Sequence, residues 1–99
     1  METNIVTKQK DEVKIKKPKQ YKVVMYNDDY TTMEFVMNVL VSVFNKNPIE
    51  AEKIMLDVHE KGKGVAGIYS HDIAITKVYA AMSMAKEQGF PFKLTVEEA

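Results

Sequence analysis

The sequence predicts a small α+β fold: a three-stranded antiparallel sheet packed against three helices, in the order strand, helix, helix, strand, helix, strand. Three observations predict it. Residues 20–26 and 92–96 alternate apolar residues with others at a period of two, the signature of half-buried strands. Residues 65–69 form a short apolar run rich in strand formers. Three longer segments between these repeat apolar residues at helical spacing, and each opens on a helix-start signal. Helices segregated to one side of such a sheet give a two-layer sandwich.

In the first strand, Tyr21, Val23 and Met25 face one way and Lys22, Val24 and Tyr26 the other, so one face packs and the other is partly wet. Thr31-x-x-Glu34 reads as a capping box for the first helix. Phe35, Val36, Val39, Leu40, Val43 and Phe44 follow at helical spacing, with the end expected near residues 45–47. Asn47-Pro48-Ile49-Glu50 starts the second helix: Asn at the cap, Pro at the first helical position, Glu three after the cap. Ala51, Ile54, Met55 and Val58 are its apolar stripe, and Gly62 and Gly64 stop it. Ser70 or His71 leads into a third helix with Asp72 in its first turn. Ala74, Ala80, Ala81 and Ala85 permit close approach, and Gly89 is the expected stop. Phe92, Leu94 and Val96 alternate with Lys93 and Thr95 in the last strand.

Charge divides the chain. Residues 1–19 hold six lysines against three acids, a net charge of +3, with few apolar anchors and no aromatic residue. Such a segment cannot bury enough surface to offset its ordering entropy, so it reads as a flexible basic extension. Residues 20–99 hold eight lysines against eleven acids and read as the folded domain. The chain has no cysteine, which excludes a disulfide framework and cysteine metal sites. No apolar run reaches membrane-spanning length and no secretory signal opens the chain, so a soluble cytoplasmic protein, monomeric by default, is expected. A net negative domain lacks the concentrated basic face of a nucleic-acid binder.

Some motifs carry no chemistry. Gly62-Lys63-Gly64-Val65-Ala66-Gly67 has the G-x-G-x-x-G spacing, but a helix precedes it and a strand follows, the reverse of a dinucleotide site. His59 and His71 stand twelve apart, which fits no short zinc signature. No serine has an evident base and orienter. We therefore expect no enzyme activity, no metal and no cofactor.

One constellation does carry chemistry. Asn27-Asp28-Asp29-Tyr30-Thr31 is a run of short polar residues between the first strand and first helix. Asn and Asp hold tight turns through their own side chains, but two adjacent carboxylates exceed what a turn needs. The corner suits a cation or an amine. Met55 and His59, four apart, share one helix face beside Val58. Met33, Val36 and Leu40 stand behind the corner. If the two helices flank one hollow, Met33, Val36, Met55, Val58 and Leu40 wall it, with Asn27, Asp28, Thr31 and His59 at the rim. An apolar hollow with a polar rim is the usual form of a small specific site.

Tyr21-Lys22-Val23, Asn27-Asp28-Asp29-Tyr30-Thr31, Met33-Glu34-Phe35-Val36, Met55-Leu56-Asp57-Val58-His59, Gly62-Lys63-Gly64 with Gly67, Thr76-Lys77-Val78 and the closing residues 91–98 stand in order along the chain. This ordered set resembles the ClpS adaptors, the bacterial substrate-recognition proteins of the N-degron pathway, over residues 18–99. The resemblance implies a non-catalytic adaptor. It would bind the free α-amino group and large first residue (Leu, Phe, Tyr or Trp) of a substrate and deliver it to a ClpA- or ClpC-type AAA+ unfoldase. Asn27, Asp28 and His59 would hold the amine. Thr31, Met33, Val36, Met55, Val58 and Phe92 would line the pocket, with Met33 as a gate and Phe92 standing where the family commonly has a smaller aliphatic residue. Glu60, Lys61, Gly62, Lys63, Asp72 and Lys77 would face the unfoldase's N-terminal domain, and the basic extension would engage its pore. Asp29 would mainly keep its turn in shape. The competing reading is a module that docks on such an unfoldase and modulates it without reading substrate N-termini.

Overall fold

A computed structural model describes residues 17–99; the expectations for the basic extension up to residue 16 lie outside it. The elements run β1 (Tyr21–Tyr26), α1 (Met33–Ser42), α2 (Pro48–Lys61), β2 (Lys63–Tyr69), α3 (His71–Gln88) and β3 (Lys93–Glu98). β1 is central and pairs antiparallel with both neighbours in the order β2-β1-β3. The expected fold class and element order hold.

Val23 and Met25 of β1 are fully buried and meet Phe35, Val36, Val39 and Leu40 of α1, Ala51 and Val58 of α2, and Ala74, Ala81 and Ala85 of α3 in one core. The small residues of α3 let its backbone approach the sheet, as the sequence suggested, although Ala80 points to solvent. The capped starts also hold with one shift. Asn47 Oδ1 accepts the Glu50 N–H at 2.8 Å, as a cap should. At α1 the cap is Thr32, whose hydroxyl oxygen accepts the Phe35 N–H at 3.1 Å. Thr31 is unavailable for that role because Asp28 engages it.

α1 ends at Ser42, so Val43 and Phe44 lie just beyond it. Phe44 nonetheless reaches the core. Asn45 takes a left-handed φ of 58°, and Lys46 N–H returns to Leu40 O at 3.0 Å, closing a wide turn at the end of α1. β2 begins at Lys63, two residues earlier than its apolar run suggested, because pairing with Tyr26 extends it. Opposite Val23 and Val24 the register shifts by one and leaves Ala66 as a bulge residue. The bulge turns both Ala66 and Gly67 inward.

Candidate functional site

Gly62 places the two halves of the site together. Its φ of 89°, a left-handed value that favours glycine, lets the chain leave α2 and enter β2 at once. Its N–H caps Val58 O at 3.0 Å, and its carbonyl accepts the Asn27 N–H at 2.9 Å. The end of β1 is thereby pinned to the end of α2. Asn27 and His59 reach one hollow although thirty-two positions separate them in sequence.

The hollow measures about 280 Å³ and is lined by Asn27, Asp28, Asp29, Thr31, Met33, Val36, Met55, Val58 and His59. Its size lies near the lower end of small-ligand clefts, about 300–1,000 Å³, which suits one side chain more than a large ligand. Val36 and Val58 are buried and form its floor. Met55 is half-buried, and Met33 is 52% exposed at the opening. Asn27, Asp29 and His59 are exposed along the rim. The arrangement is an apolar slot with a carbonyl oxygen, an imidazole and two carboxylates at its mouth.

The rim is built on an Asp28 turn. Asp28 Oδ1 accepts the N–H groups of Tyr30 at 2.8 Å and Thr31 at 2.7 Å, and Oδ2 accepts the Thr31 hydroxyl at 2.7 Å. Partial burial pushes this carboxyl up, but the three hydrogen bonds outweigh burial and hold it below the ordinary carboxylate value. Asp29 lines the same hollow, and among the described residues no hydrogen bond or ion pair engages its carboxylate. Sequence reasoning gave Asp29 a turn-keeping role. The geometry puts Asp28 in that role and leaves Asp29 free, a distinction that two adjacent identical residues do not reveal.

Two expected wall residues stand elsewhere. Leu40 is fully buried in the core. Phe92 is also buried, and its ring meets Phe35 edge to face at 5.5 Å, with Phe90 on the same ring at 5.1 Å. Its large ring fits this aromatic cluster, and Phe92 borders a separate surface groove beside Tyr79, Met82 and Pro91. It is therefore a core residue and does not line the hollow.

The residues expected to face an unfoldase fall into two groups. Glu60, Lys61, Gly62 and Lys63 are exposed at the α2–β2 junction, where Lys61 pairs with Asp57 at 3.6 Å. Asp72 is exposed in the first turn of α3. Lys77 is no free surface charge: its ammonium donates to Val43 O at 2.6 Å and to Asn45 Oδ1 at 2.8 Å.

The family model for the ATP-dependent Clp protease adaptor protein ClpS matches residues 16–95. This chain belongs to the ClpS family. The ClpS adapter protein of Clostridium acetobutylicum is 54% identical over 89 residues, covering 90% of this chain and 88% of its own. That of Acetivibrio thermocellus is 48% identical over 97 residues and 98% of each chain. Among solved structures, Agrobacterium tumefaciens ClpS2 bound to L-phenylalaninamide superposes with a TM-score of 0.79 at 41% identity, over 84% of this chain and all of that one. L-phenylalaninamide, the ligand of that ClpS2, carries a free α-amine and a large apolar side chain.

Proposed function

We propose that this protein is a non-catalytic N-degron adaptor. It binds the free α-amine and large apolar first residue of a substrate and passes that substrate to a ClpA- or ClpC-type unfoldase. The observation that carries this reading is the joining of an apolar slot sized for one side chain to a rim of acceptors at Asn27, Asp29 and His59.

The chemistry follows from the ligand. An α-ammonium offers three donors and a positive charge, and Asn27 Oδ1 and a neutral His59 nitrogen are suitable acceptors. Asp28 shapes the rim and adds negative potential; Asp29 supplies an uncommitted carboxylate. An internal or acetylated residue brings no ammonium, so the rim acceptors lose their charged partner. Such mismatches at a buried contact cost about 1–3 kcal/mol, or roughly ten- to a hundredfold in affinity. The Leu, Phe, Tyr or Trp side chain enters between Met33, Val36, Met55 and Val58. A β-branched residue meets Met33 and the rim before it can seat.

Glu60, Lys61, Gly62 and Lys63 at the α2–β2 junction and Asp72 at the start of α3 are the exposed groups offered to the unfoldase, while Lys77 is held by Val43 and Asn45. The basic residues 1–19 act as the delivery arm, and the adaptor works as a cytoplasmic monomer without metal or cofactor. Among the described residues no helix is long and apolar enough to cross a membrane.

Degradation of a Leu-first reporter by a reconstituted Clp unfoldase–peptidase tests the reading. The protein should accelerate loss of the Leu-first reporter and not of its Met-first counterpart. Equal rates for both reporters would contradict it. Removing residues 1–17 should abolish this acceleration while peptide binding survives.

A further inference from the structure

The hollow and the α1–α2 connection lie at opposite ends of the same helical hairpin. Met33 and Val36 sit in the first turn of α1, and Met55, Val58 and His59 in the last turns of α2. Residues 43–47 join the helices at the far end. There, two side chains from outside the hairpin hold the connection. Lys77 of α3 donates to Val43 O at 2.6 Å and Asn45 Oδ1 at 2.8 Å. The Tyr69 hydroxyl of β2 donates to Phe44 O at 3.2 Å. The Lys77 ammonium also stands 5.3 Å from the Tyr69 ring centre.

These contacts satisfy carbonyls of the connection just past α1, and they put a cation at the negative end of that helix. Gly67 makes them reachable. The inward turn at the bulge places Gly67 and Tyr69 on the helix side, and the Tyr69 ring lies across the space a Gly67 side chain would take. Asn45 holds the left-handed φ of 58° that presents its side chain to Lys77.

We infer that Lys77 and Tyr69 form a latch that sets the width of the hollow and so the protein's preference among first residues. This rests on the N-degron reading above. The reason is leverage. The ten residues of α1 span about 15 Å, so a tilt of about 5° at the latch moves the Met33 end by about 1 Å. That is comparable to the difference between fitting and clashing for one extra carbon, and discrimination by one methylene in an apolar pocket is worth about tenfold or more. Lys77 and Tyr69 are positioning residues here and touch no ligand.

The test compares Kd values for Leu-first and Trp-first peptides of otherwise identical sequence, using wild type, Lys77→Met and Tyr69→Phe. Tyr69→Phe removes one hydroxyl and keeps the ring over Gly67, so it guards against unfolding of the lysine variant. A ratio of two Kd values is indifferent to the fraction of folded protein, so a merely destabilising change leaves it untouched. The ratio should move toward one by at least about threefold in either variant, a modest part of what a pocket can discriminate. A smaller change in both variants overturns the latch while leaving the N-degron reading intact. A wild type that binds acetylated peptides as well as free ones overturns the parent reading, and the latch falls with it.

Discussion

Thr31 occupies both carboxylate oxygens of Asp28: its N–H donates to Oδ1 and its hydroxyl to Oδ2, each at 2.7 Å. The pair fixes the path of the chain from β1 into α1 and so fixes the rim. Asp28 and Asp29 consequently do different work. Asp28→Ala should lower stability by about 1 kcal/mol, as loss of a comparable side-chain cap does, and weaken peptide binding with it. Asp29→Asn should leave the melting temperature unchanged and weaken binding by up to about fivefold, the range of an exposed charge pair. That loss should shrink in high salt. Thermal melts and peptide titrations at two ionic strengths check both.

The same hydrogen bonds make a pH prediction. The folded Asp28 carboxyl titrates below its ordinary value of 3.8, because hydrogen bonds to the ionised form outweigh the opposing effect of burial. A depressed folded value stabilises the protein above the unfolded value and loses that contribution as pH falls through the folded one. The stability gap between wild type and Asp28→Asn should be constant from pH 7 to about pH 5 and narrow below about pH 4. Urea melts across that range read it directly.

Gly67 gives a prediction independent of ligand. A methyl group there would meet the Tyr69 ring, so Gly67→Ala must displace the ring and its bond to Phe44. Overpacking of this kind costs about 1–3 kcal/mol. Gly67→Ala should lower the melting temperature, and Tyr69→Ala in the same chain should recover part of the difference.

Met33 stands 52% exposed at the opening of the hollow, so shortening it affects access more than the core. Met33→Ala should change stability little and narrow the affinity gap between Leu-first and Val-first peptides. Titration of both peptides against both proteins checks this.

Much of this was legible in the sequence because it is local. The period of the apolar residues marked every element, Asn47 marked its own helix start, and Gly62 marked the end of α2. The Met55–His59 face and the polar corner were visible as separate patterns, and nearly all of the expected hollow assembled from them. What was not legible depends on which of two similar neighbours a third group selects. Thr31 was read as the helix cap because Glu34 follows it at the right spacing, but Asp28 takes Thr31 and Thr32 caps instead. Lys77 is placed by resemblance on the unfoldase-facing surface, and nothing local shows that its ammonium is held by Val43 O and Asn45 Oδ1, thirty-four and thirty-two positions away. Phe92 was placed by resemblance at the pocket, whereas its ring joins Phe35 and Phe90 in the core. The bulge at Ala66 left no mark in the composition of its strand, yet it brings Tyr69 to the end of α1.

The central claim is that the rim reads a free α-amine while the hollow reads the side chain attached to it. Fluorescence anisotropy with one labelled peptide, varied only at its first residue, measures both. A Leu-first peptide should bind at least about tenfold more tightly than its N-acetylated form, and by a similar margin more tightly than the Val-first peptide. Equal affinity for the free and acetylated Leu-first peptides would contradict the account.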